Sequence, residues 1–347
     1  MLRSLVIASA TLLVLLGIVA YVVHANHSGS PTKQAAGATA SSSGAAQGTS
    51  GPTCPLTGTP APAGSVPARP AMAVKIGNNP SALPQSGLSH ADVVFEEPIE
   101  GAITRLLAIF QCHEAQRVEP VRSTRWIDSQ LLPQFGHPGF AFAGGILPDE
   151  HLIARSGVFD LDFTRYYDAY SRSSSRYAPN NLYTSTKRLW AIDKSRTPPK
   201  PIFSFSKIPP PGTTLSAVDL TWSSIASVQW KWDPTSATWV RYLGGQPETT
   251  AAGNTVQAAN VVVETVHVTA GPYAEDAQLA HGVRSQTVGS GPALVMRNGI
   301  AITATWERSS IYNPTRFIGR SGAPISLAPG NTWVELLPTY GKITEVP

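Results

Sequence analysis

The chain has 347 residues, long enough for one domain or two, and only 14% of them are charged. Lys and Arg number 26 against 22 Asp and Glu, with no basic run, so the excess of four charges is too small and too scattered for a nucleic-acid stripe. Thirty prolines and 29 glycines favour strands and turns over long helices.

In chain order, residues 4–23, SLVIASATLLVLLGIVAYVV, carry no charge. As a helix rising about 1.5 Å per residue they match a bilayer core of roughly 30 Å. Arg3 precedes them, which predicts a cytoplasmic N-terminus with the remainder exported. The length favours a retained anchor within residues 1–25; a signal peptide cleaved after Ala25, giving a secreted protein, is the alternative. No Cys follows closely, so lipid attachment there is not expected. Residues 26–70 are small, polar and Pro/Ala-rich, and read as a disordered tether. In an exported chain, Cys54 and Cys112 are expected to pair as a disulfide.

Residues 71–193 read as a mixed α/β domain. Strands are predicted at MAVKI (72–76), ADVVFEEPI (91–99), AITRLLAIFQC (102–112) and FAFAGG (140–145). Ser123 is the candidate N-cap of a helix through Phe135, interrupted near Pro133. Helices are also predicted at PDEHLIARSG (148–157) and at STKRLWAID (185–193), with Ser185 as cap. Six prolines in 194–219 mark a linker. Residues 220–347 then read as a smaller β-rich domain. SVQWKWD and TWVRYL flank Asp233–Pro234, NVVVETVHV is β-branched, and Asn298–Gly299 is a two-residue hairpin turn. NTWVELLP closes the pattern. The fold class is therefore α+β.

Several phrases together resemble the YerB-like lipoprotein family, built from the N- and C-terminal domains of unknown function 3048. They are PLTG (55–58), NNPSALPQSGLSHADVVFEEPIEGAITRLLAIF (78–110), EPVRSTR (119–125), RYAPNNLYTS (176–185), GSGPALVMRNGIAITATWERSS (289–310) and ISLAPGNTWVELLP (325–338). The resemblance implies a two-part, envelope-associated protein and no assigned activity, so no catalytic residue is carried over. This chain departs from the family in using an apolar helix rather than a lipid as its anchor. It also has Asn180 where the family usually has His, and an Asn cannot act as a general base.

The densest polar chemistry lies in EPVRSTRWID (119–128), where Arg122 and Arg125 flank the predicted helix start. Guanidiniums there oppose the helix dipole unless an anion joins them, and Arg grips carboxylate or phosphate with paired bonds. Two readings stay open. The arginines serve an external anion, or they join Arg105 and the acids Glu96, Glu97 and Glu100 of EEPIEG in an internal ion-pair network. Glu97 and Glu100 are also the weak candidates for an acid/base pair of a glycosidase type. Asp149, Glu150 and His151, near Asp160 and Asp162, are better explained by a helix start than by a metal. Six tryptophans at 222, 230, 232, 239, 306 and 333 are mostly core candidates, although exposed ones would suit sugar rings. No motif points to a cofactor, and whether the chain is an enzyme stays open.

The expectation is a membrane-tethered extracytoplasmic protein. It recognises a cell-wall polymer or envelope protein through Arg122, Arg125, Asn181 and Tyr183, with Arg105, Glu97 and Glu100 orienting them. The alternatives are a wall-directed glycoside hydrolase using Glu97 or Glu100, and a structural scaffold with an internal network.

Overall fold

Strand β1 (Met72–Gly77) forms where MAVKIG alternates its side chains between two apolar surfaces, and all six residues are buried. The computed structural model describes residues 51–347 except Ala277. The anchor expected within 1–25 and the tether before Gly51 lie outside them. Among the described residues no helix is long and apolar enough to cross a membrane.

The first half contributes β2 (Val93–Pro98), β3 (Thr104–Phe110), α1 (Asp128–Leu131), β4 (Gly139–Ala141), α2 (Leu147–Arg155), β5 (Phe159–Asp160), β6 (Ser171–Arg172), β7 (Leu182–Tyr183) and α3 (Thr186–Ile192). The rest is strand. In order come β8 (Thr213–Thr214), β9 (Ala217–Ser223), β10 (Ala226–Asp233), β11 (Thr238–Leu243), β12 (Gln246–Pro247), β13 (Gln257–Ala258) and β14 (Asn260–Val266). They are followed by β15 (Val268–Ala274), β16 (His281–Ser285), β17 (Gly289–Arg297), β18 (Ile300–Arg308), β19 (Arg316–Gly319), β20 (Thr332–Pro338) and β21 (Lys342–Val346).

One eleven-stranded sheet runs through both halves in the order β19-β18-β17-β14-β20-β2-β3-β1-β4-β5, with β8 beside β18. The key strand is β20. It runs parallel to both β14 and β2, aligning Trp333 with Val94 and Val334 with Phe95. NTWVELLP was expected to close the chain; instead it joins the two halves, and all seven residues of β20 are buried. The six strands β9 to β13 and β21 form a second sheet. Its Val218, Leu220, Trp230 and Trp239 share a core with Val94, Leu106 and Trp333 of the large one. Trp230 and Trp333 meet edge to face at 5.3 Å.

The α/β expectation for 71–193 is met only in part. The chain is mostly strand, and the three α-helices among the described residues have four, nine and seven residues. Ser185 caps α3 as expected, accepting from the Arg188 amide. The Ser123 cap is not formed. The helix starts at Asp128 and gives way at Leu132 to a 3-10 turn around Pro133. Asn298 and Gly299 both have positive φ, as a two-residue turn between β17 and β18 requires.

The tether expectation through residue 70 is also corrected. Leu56 is 1% exposed, and Cys54 is bridged to Cys112 with a Cα separation of 6.0 Å. Leu56 packs with Phe203 and Phe205 of the Pro-rich segment. That segment is itself seated, with β8 paired to β18 and Phe205 bridged to Leu327. The bridge closes a 58-residue span, worth about 4 kcal/mol in the chain-entropy description. Replacing both cysteines by serine is expected to lower the unfolding free energy by about that amount, read from urea titrations; an unchanged midpoint would contradict the bridge's stabilising role.

Candidate functional site

Period-two alternation sends the consecutive carboxylates of β2 to opposite faces of the large sheet. Glu97 lies level with Arg105 across the β2–β3 pair, while Glu96 lies level with Glu335 of β20. Each face therefore carries its own network, and the single knot of Glu96, Glu97 and Glu100 expected from EEPIEG is divided.

On the first face Lys75 pairs with Glu97 and also with Asp128 Oδ1 at 2.7 Å. All three side chains are fully buried. Asp128 has its other oxygen filled as well, accepting from the Arg125 amide at 2.8 Å and Thr124 Oγ1 at 3.0 Å. Those bonds close the 124–128 turn, which explains why no helix begins at Ser123. The Ser123 carbonyl instead accepts from Arg105 Nη1 at 3.1 Å. The dipole argument for an anion at that helix start therefore falls, because a one-turn helix beginning after Arg125 has little to offer. Burial pulls Lys75 down to about 8 against the opposing attraction of Asp128.

Arg125 is consumed internally. Its guanidinium grips Glu100 with two bonds, Nε to Oε2 at 2.7 Å and Nη2 to Oε1. Nη1 donates to the Thr124 carbonyl at 2.8 Å, and Nε is 2.6 Å from Glu275 Oε2. Burial pushes Glu100 up, but the bonds from Arg125 outweigh it and hold the carboxyl below its usual range. Glu275, from the connection between β15 and β16, is pushed up to about 7 by burial and by Asp149 and Glu100, against the pull of Arg125. Asp149 of α2 is pushed up to about 6, first by burial. An acid/base role for Glu97 and Glu100 gains no support: both are buried in ion pairs, and Glu100 is held as the anion rather than poised to donate.

Arg105 and Arg122 differ from Arg125. Neither has a carboxylate within 4.0 Å among the described residues. Arg105 is buried and is pulled down to about 9 by burial and by Arg125. Arg122 is half-buried and lowered, first by burial and then by Arg125. Its Nη1 has one long bond, 3.4 Å, to Asn180 Oδ1, and Asn180 donates in turn to Ser81 Oγ at 2.9 Å. Arg122 lines a groove of about 280 Å³ with Ser123, Gly144, Phe163, Thr164 and Arg172.

Asn181 and Tyr183 fall outside the cluster. Asn181 accepts from Arg172 Nη1 at 2.8 Å at the groove's rim. Tyr183 lies under the Arg117 guanidinium, 3.7 Å from its ring centre, and Arg117 pairs with Glu119. The residue that reaches Arg122 is Asn180, one position earlier. Lys75, Asp128, Asp149 and Glu275 are further members that the sequence reading missed.

On the opposite face fully buried Arg241 of β11 binds Glu96 at 2.6 Å and also pairs with Glu248. Burial opposes the Arg241 charge, but Glu248 and Glu96 outweigh it. Glu335 is raised well above its ordinary range by burial and by Glu96, and Trp230 Nε1 donates to it at 2.8 Å. Trp222, Trp230, Trp239, Trp306 and Trp333 are all interior, so they form no sugar platform.

A β-dominated molecule with a disulfide near its start and charge networks on both faces of one shared sheet is the class defined here. Residues 56–198 match the family described as "Protein of unknown function (DUF3048) N-terminal domain", and residues 218–334 match "Protein of unknown function (DUF3048) C-terminal domain". The chain belongs to this family. It is 28% identical over 292 residues to "Putative lipoprotein YerB" of Bacillus subtilis (strain 168), covering 79% of this chain and 82% of that one. The crystal structure of YerB protein from Bacillus subtilis has the same fold, with a TM-score of 0.72 at 23% identity over 84% of this chain and 99% of that chain.

The protonation of Glu275 gives a pH test. A carboxyl whose folded pKa lies above its unfolded value stabilises the native state at low pH, and that contribution is lost as pH rises through the folded value. From pH 5 to 8 the wild type is therefore expected to lose stability relative to Glu275→Gln, measured by urea titration. A constant gap between the two would contradict the assignment.

Proposed function

We propose that this protein is a tethered extracytoplasmic binding protein whose Arg122 groove receives a carboxylate or phosphate group carried by an envelope component or partner protein. The apolar run at 4–23 and the bridged cysteines support placement outside the cytoplasm, with the membrane as the anchoring partner. The carrying observation is the unequal use of the arginines. Arg125 is gripped by Glu100 through two bonds, whereas Arg122 opens on a groove beside Arg172 and has no carboxylate within 4.0 Å among the described residues. Two guanidiniums bordering one cavity suit a planar or tetrahedral oxyanion. Asn180 orients Arg122 by hydrogen bonding, a role that requires no proton transfer.

The scaffold reading applies to the rest of the cluster. Lys75, Glu97, Asp128, Arg125 and Glu100 hold the turn at 124–128 against β1–β3, and that role supports the groove rather than competing with it.

The test separates the two roles. Calorimetric titration with inorganic phosphate, and in parallel with acetate, is expected to show weak saturable binding of at least one. Arg122→Gln should abolish it while leaving thermal stability nearly unchanged. Arg125→Ala should lower stability by about 3–5 kcal/mol, because Glu100 is left buried and unpaired. Absence of binding by wild type, or equal binding by Arg122→Gln, would contradict the reading.

A further inference from the structure

The Pro-rich segment that follows α3 is a second basic feature, separate from the Arg122 groove. Lys194, Arg196, Lys200 and Lys207 are all exposed, and residues 194–218 contain no Asp or Glu. The whole chain has a net excess of only four positive charges, so this concentration is not a sample of its average. Lys200 lines a groove of about 720 Å³ with Arg155, His137 and Tyr312, and no acidic residue contributes to its walls. Beside exposed Lys207, Ile208 is 80% exposed, which sets a bare apolar side chain next to a cation. Cations flanking an exposed aliphatic residue are the chemistry of an interfacial contact with anionic lipid.

The position of this surface relative to the chain's root identifies its occupant. Gly58 packs so closely on Phe205 that a Cβ there would lie 2.4 Å from the ring. The Gly330 amide donates to the Thr57 carbonyl at 2.8 Å, and the Cys54–Cys112 bridge holds the same stretch. The chain therefore enters the described unit against the basic segment itself. In the sequence, residues 24–50 separate this root from the apolar run. On the anchor reading of residues 4–23, a bilayer is therefore the occupant nearest in the chain to this root.

We propose that residues 194–208, with Arg155, form a docking surface for the anionic headgroups of the membrane that carries the N-terminal anchor. The contact orients the protein, leaving the Arg122 groove for its own ligand. It rests on the anchor reading of residues 4–23 and not on the function of Arg122.

The test uses residues 51–347, which form a compact unit with their own core and disulfide. Their sedimentation is measured with phosphatidylcholine vesicles alone and with phosphatidylglycerol added. The expected result is binding that requires phosphatidylglycerol and weakens as salt is raised. The variant Lys194→Gln/Arg196→Gln/Lys200→Gln/Lys207→Gln, checked for an unchanged melting transition, should bind roughly a thousandfold more weakly. Arg122→Gln should bind vesicles as wild type does. Equal binding to both vesicle types, or undiminished binding by the fourfold variant, would overturn the proposal. Binding to soluble poly(glycerol phosphate) without binding to vesicles would overturn it as well, since the surface would then belong to a polymer.

Discussion

Two neighbouring carboxylates on a strand buried on both faces must each find a cation inside the protein, because an isolated buried charge is too costly to persist. Glu96 and Glu97 of β2 set this condition, and the tertiary structure around them answers it twice. Glu97 is matched by Lys75 from β1, which in turn requires Asp128 and so fixes the turn carrying Thr124 and Arg125. Glu96 is matched by Arg241 from the second sheet, and Glu335 of β20 lies beside it. The same pair of residues thus ties the helical side to one face of the sheet and the small sheet to the other.

This arrangement sorts the arginines. Arg125 is bonded to Glu100 and the Thr124 carbonyl and paired with Glu275, so each of its three nitrogens already has an internal partner. Arg122 is three residues earlier, on the segment that pairs antiparallel beside β1 through the Val121–Ile76 bridge. It emerges on the other side of that segment toward Phe163 and Arg172. Burial and the neighbouring charge of Arg125 outweigh the more distant pull of Glu100 on it, an unfavourable balance that a bound anion would relieve. An interior network thus stands beside a guanidinium that it leaves without a close carboxylate, which is the feature the proposed anion site rests on.

Local patterns were the legible part of the sequence. MAVKI, ADVVFEEPI, NVVVETVHV and the Asn298–Gly299 turn declared themselves through alternation, β-branching and turn chemistry, and Ser185 through its position before a helical run. The disulfide followed from the expectation of export together with a count of two cysteines. What stayed hidden was long-range. Nothing in NTWVELLP specifies that β20 inserts between β14 and β2, because an apolar strand fits any central position. The arginine–acid cluster was legible as a set but not as a network, since its membership depends on Lys75, Asp149 and Glu275 from distant elements. A signal did exist. Lys75 in MAVKI, Arg241 in TWVRYL and Glu335 in TWVELL are single charges inside apolar strands, and such charges imply buried partners.

The central claim is that Arg122 is available while Arg105 and Arg125 are occupied by the interior. Arginine modification with phenylglyoxal, mapped by mass spectrometry on the native protein, measures this directly. The account predicts early modification of Arg122 and Arg172, with Arg105 and Arg125 protected until the protein unfolds. Modification of Arg125 at the rate of Arg122 in the folded state would contradict it.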